Sequence, residues 1–157
     1  MKSTQRLIKE MAWMASKLLL PVSTTLTLKH SGFFPGRNYA YMMWCGTLLY
    51  REEIFANISP TSYNHELIHL RQAQHCGSWL KYYIKYCWQW ILGFSWRSPK
   101  MTAYYTNPYE IEAYANEHNP DYPMIYDPKT LNRYRIKHRS HTYKAHQNDW
   151  HRYILEL

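Results

Sequence analysis

The sequence predicts an α+β domain, mostly helical, with a small sheet ahead of a helix that starts near residue 59. Three observations carry this. Apolar residues recur at helical spacing over 3–19, 60–74, 79–94 and 107–119. Capping and stop residues bracket those stretches. Between the first and second of them lie β-branched and aromatic runs of strand type.

Residues 3–19 place Leu7, Ile8, Met11, Met14, Ala15 and Leu18 on one helical face, with Ser3 or Thr4 as cap and Pro21 as the stop. Residues 22–28 are β-branched and partly alternating, which suits a strand. Gly32, Pro35 and Gly36 mark a loop. Residues 39–50 suit one or two strands broken at Gly46. Ser59-Pro60 then opens a helix, running to about Gln74 with Gly77 beyond it.

The helix over 79–94 is apolar or aromatic almost all round, apart from a stripe of Lys81, Lys85 and Gln89. Such a helix is either a core helix or one that touches a membrane. It falls short of the ~20 residues that span a bilayer. Its Trp, Tyr and Lys content suits a peripheral membrane contact through 79–94. A further helix over 107–119 opens with Asn107-Pro108 and closes at Asn119-Pro120, and 120–128 reads as an extended loop.

The chain has 157 residues, enough for one domain with its own core. Hydrophobic residues make up 46% and aromatics 17%, which excludes wholesale disorder. A mean hydropathy of −0.60 excludes a multi-span membrane protein. Cys45, Cys76 and Cys87 show no paired spacing, so a reducing, cytoplasmic setting is expected. No apolar run of the ~7–15 residues a secretion signal needs precedes Pro21. The net charge is +8. From Lys129 onward seven Lys and Arg face two acidic residues, interleaved with aromatics. The expected organisation is a domain over 1–128 and a basic aromatic extension over 129–157. Such an extension suits an anionic membrane or nucleic acid.

The sharpest motif is His65-Glu66-Leu67-Ile68-His69, an H-E-x-x-H. Histidines at i and i+4 of a helix project the same way, so both rings reach one metal ion. Catalytic zinc takes about three protein ligands and leaves a position for water. Glu66 then faces that water as general base. The third ligand has more than one candidate. His75 stands at the spacing of the metzincin pattern H-E-x-x-H-x-x-G-x-x-H, but Gln72 replaces its glycine. Without the glycine the helix continues and rotates His75 away.

The run Tyr109-Glu110-Ile111-Glu112-Ala113-Tyr114-Ala115-Asn116-Glu117 supplies the other candidates. Together with the motif helix, it resembles gluzincin-type zinc metallopeptidases, including the CAAX prenyl protease group. There H-E-x-x-H is followed by E-x-E-A-D or E-x-x-A-D on a later helix. The layout over roughly 45–120 is most similar to small H-E-x-x-H proteins of Bacteroidetes-type bacteria. The resemblance implies a zincin-like fold and Zn²⁺ held by His65, His69 and Glu110. It implies hydrolysis of a peptide or protein substrate, with Glu66 taking a proton from the attacking water. Tyr114 departs from it, standing where the family has an Asp that supports a metal-bound His.

Alternatives remain at this level. Asn107 and Glu110 stand in capping-box spacing. If that box forms, Glu112 is the fallback ligand, about 200° away on the helix. Glu117 shares the face of Glu110 and suits a supporting partner. Tyr114 suits an oxyanion donor, and Arg71 or Gln72 an outer contact. Cys76 reads as a structural thiol. The strand over 47–56 is expected to flank the cleft and pair with extended substrate. The rival to an enzyme is a non-catalytic metal-site domain whose basic tail binds membrane or nucleic acid.

Overall fold

The computed structural model describes residues 2–35, 41–51, 58–94 and 103–135. The element order is α1 (Lys2–Lys17), β1 (Thr27–His30), β2 (Tyr41–Trp44), β3 (Thr47–Tyr50), α2 (Pro60–Cys76), α3 (Trp79–Leu92), α4 (Pro108–Asn116) and α5 (Tyr122–Ile125). A 3₁₀ turn over Thr130–Tyr134 follows. The α+β class, mostly helical with a small sheet ahead of the motif helix, is what the sequence predicts. No helix among the described residues is long and apolar enough to cross a membrane.

The sheet has the order β1-β3-β2. β1 runs parallel to β3, with Thr27 opposite Thr47 and His30 opposite Tyr50. β2 and β3 form an antiparallel hairpin in which Trp44 pairs with Thr47. Cys45 and Gly46 turn the hairpin at φ 48° and 73°. Two successive positive φ angles match the right-handed twist of the flanking strands. Three expectations are corrected here. The first strand lies at Thr27–His30 rather than 22–28, because pairing with β3 overrides local propensity. Ser3 and Thr4 fall inside α1 instead of capping it. β3 is the central strand, so its 47–50 segment has both edges filled and cannot receive a substrate strand. The rest of the expected 47–56 strand, from 52, lies outside the described residues.

α1 is tied to the sheet by three contacts. The Trp44 indole donates to the Met14 carbonyl at 2.8 Å. The Ser31 hydroxyl donates to Glu10. Lys29 Nζ stands 3.4 Å above the Trp13 ring, a cation–π arrangement.

α2 is defined at both ends as the sequence indicates. The Ser59 side chain accepts from Ser62 N–H, Pro60 sits in the first turn, and Gly77 closes the helix at φ 79°. α3 follows at once, capped by Ser78, which accepts from Lys81 N–H. α2 packs against α3, α4 and α5. The core gathers Leu70 and Ala73 from α2, Trp79 and Tyr82 from α3, Tyr109 from α4 and Cys45 from the hairpin. Residues 120–128 hold the short helix α5, which corrects the extended-loop expectation. The 3₁₀ turn packs on α4, where Asn116 donates to the Tyr134 hydroxyl. The basic run from 136 to 157 lies outside the described residues.

Candidate metal centre

Within α2, His65 and His69 are one turn apart and their rings meet edge to face at 4.7 Å. Both are nearly buried, at 7% and 5% exposure. α4 brings Glu110, 4% exposed, against them. His65, His69 and Glu110 therefore form one buried group that could hold a metal ion, with ligand atoms within 4.8 Å of one another.

The edge lengths test that fit. His65 Nε2 and His69 Nε2 are 3.1 Å apart. Glu110 Oε2 is 3.5 Å from His65 Nε2, and Glu110 Oε1 is 3.5 Å from His69 Nε2. Ligands about 2.05 Å from a tetrahedral ion are separated by about 3.3 Å. The triangle is therefore of tetrahedral size.

Hydrogen bonds at the back of each histidine fix the orientation of its ring. Gln72 Nε2 donates to the Tyr109 carbonyl at 3.0 Å and to Glu112 at 2.9 Å. Both partners only accept, so Gln72 presents Oε1 to His69 Nδ1, at 2.7 Å. His69 Nδ1 therefore carries a proton, and Nε2 is the nitrogen aimed at the cluster. Glu117 does the same for His65, accepting from Nδ1 at 3.0 Å. The two Nε2 atoms then face each other at 3.1 Å beside a carboxylate. Glu110 Oε2 is buried with no hydrogen-bond partner. A metal ion between the three would displace any ring proton there and give the orphaned oxygen a partner.

The charges follow from this packing. Burial would raise the Glu110 carboxyl, but His69 and His65 outweigh it and hold it well below the usual carboxylate range. Burial lifts the Glu66 carboxyl above its ordinary range, with His69 and His65 partly offsetting it. Tyr86 donates its hydroxyl to Glu110 Oε1 at 2.6 Å. The Tyr82 hydroxyl stands 3.3 Å from His69 Nδ1. Burial raises both phenols well above their normal pKa, so they stay protonated.

The open alternatives are decided by geometry. Asn107 caps α4 by accepting from Tyr109 N–H, while its own N–H goes to the Tyr104 carbonyl. No capping box forms, and Glu110 is free to reach the histidines. Glu112 points away. It accepts from Gln72, Tyr122 and Thr130, so it is a structural carboxylate buried behind the site. α2 continues through Gln72 to Cys76, leaving His75 exposed and packed on Tyr126 at 5.1 Å. Tyr114 lies edge-on to His65 at 4.5 Å, and its hydroxyl meets that of Tyr104 at 3.1 Å. Arg71 turns to Gln74 instead. Cys76 is a half-buried core thiol.

Sequence reading missed Tyr82, Tyr86 and Tyr104. Three of sixteen tyrosines on mostly aromatic segments carry no spacing signal of their own. Comparison with family models, curated proteins and solved structures finds no match for this chain.

Proposed function

We propose that this chain is a zinc-dependent metallopeptidase with a zincin-like pairing of an H-E-x-x-H helix and a glutamate helix. The observation that carries the reading is the buried His65–His69–Glu110 triangle, with Glu66 adjoining it on the same motif. Its two imidazole Nε2 atoms and single carboxylate suit zinc among the divalent ions. Zinc held there would supply Lewis-acid polarisation of a peptide carbonyl. Glu66 removes a proton from the attacking water and returns it to the leaving amine, a task that a raised carboxyl pKa favours. Tyr104 and Tyr114 present two protonated phenols beside Glu110 and His65, suited to a developing oxyanion. Tyr41 opens the edge strand β2 and lies beside Ser62 and Glu66. Among the described residues the outer edge of β2 has no partner strand, so that edge, in place of β3, suits an extended peptide substrate.

The burial of all three ligands favours a second reading, a structural metal site without catalysis. One experiment separates them. Metal is measured by mass spectrometry on wild type, Glu110→Ala, His75→Ala and Glu66→Gln, alongside hydrolysis of a quenched peptide library. The proposal expects about one zinc per chain, lost with Glu110→Ala and kept with His75→Ala. It expects Glu66→Gln to keep zinc while cleavage falls about 10²–10⁴-fold. Zinc retained with no cleavage in wild type establishes the structural site instead. No zinc in wild type overturns both.

A further inference from the structure

α3 has two unlike faces. Its inner face carries Trp79, Tyr82, Tyr83 and Tyr86 into the core and the metal cluster. Its outer face leaves Leu80, Ile84, Trp88, Ile91 and Leu92 between 42% and 60% exposed. These fall at i, i+4, i+8, i+11 and i+12, a band of about 120° that is uninterrupted from Leu80 through Ile91 and Ile84 to Trp88. Scattered exposed apolar residues are ordinary, but a contiguous band of this kind marks a contact surface.

Charge indicates what the band meets. Lys81 falls between Trp88 and Leu92 at one edge of the band and Lys85 just beyond it, both exposed, and α3 contains no acidic residue. A second copy of the chain would bring like charges to the same seam. A plane of anionic headgroups answers them, while Trp88 is of the residue type enriched at that depth. We infer that α3 docks in the plane of an anionic membrane surface, inserting Leu80, Ile84, Trp88 and Ile91 with Lys81 and Lys85 at headgroup level. The helix lies on the membrane and does not cross it. Tyr82 and Tyr86 face the metal cluster from the opposite side of α3, so the docking face does not touch it. The inference is independent of whether the metal site is catalytic.

The test is sedimentation of the full chain with phosphatidylcholine vesicles, with and without phosphatidylserine. Wild type is expected to pellet with the mixed vesicles and to be released by salt. The pair Ile84→Glu/Ile91→Glu alters only exposed side chains, and circular dichroism checks its fold. Its affinity is expected to fall at least about a hundredfold. Lys81→Glu/Lys85→Glu is expected to lose at least about fivefold per lysine. Three results would overturn the inference: no binding to mixed vesicles, binding undiminished in the isoleucine pair, or a wild-type dimer that this pair dissolves.

Discussion

Gln72 decides which nitrogen of His69 faces the cluster. Its amide is held by two acceptors, the Tyr109 carbonyl and Glu112, and so can offer His69 only an oxygen. Replacing Gln72 with Leu removes that acceptor and strips Glu112 of one donor. Metal affinity is expected to fall about 10–100-fold, read by competition with a chelator. An unchanged affinity would show that the ring is positioned by packing alone. His65 gives a second expectation at this scale. Burial opposes its charge, but the carboxylates of Glu110, Glu117 and Glu66 around it outweigh burial and lift its pKa to about 10. A raised histidine pKa stabilises the metal-free fold fully below the ordinary value of 6.5 and ceases to do so as pH passes through about 10. A metal ion must displace that proton. Its affinity should therefore climb by up to about tenfold per pH unit within this window. A flat profile between about pH 6 and 8 would contradict the assigned charge state.

At the scale of elements, the hairpin turn has the least latitude. Gly46 sits at positive φ, and a Cβ there would run into the Ser23 hydroxyl and press on the Trp79 ring at 3.1 Å. Gly46→Ala is expected to cost about 1–3 kcal/mol in chemical denaturation, since strain and crowding act together. Helix boundaries were legible because caps are local chemistry: Ser59-Pro60, Gly77 and Asn107-Pro108 each act on backbone groups within three residues. Strand placement was less so. The β-branched run at 22–28 has the right composition, yet only its last two residues join the sheet. Partner strands, not propensity, choose which residues pair. The capping-box alternative for Glu110 failed for a similar reason, because Tyr104 occupies the Asn107 N–H from outside the helix.

At the scale of the molecule, the candidate ligands come from two helices, with Glu110 on α4 standing 41 residues after His69 and 45 after His65 on α2. An ion bound there ties α2 to α4 in the folded state only. At a free concentration about a hundredfold above Kd it should add about 2.7 kcal/mol and raise Tm by roughly 5–10 °C. Calorimetry before and after chelation measures this, and an unmoved Tm would mean the triangle binds no ion. By itself the sequence determined the motif pair His65 and His69, because both lie on one helix and spacing fixes their direction. It likewise determined the caps at Ser59, Gly77 and Asn107, whose chemistry is local. Only the tertiary structure decided between Glu110, Glu112 and His75, enlisted Tyr82, Tyr86 and Gln72, centred β3 and left the outer face of α3 bare. Each of those depends on which element packs against which, and a contact between residues distant in the chain has no signature in their spacing.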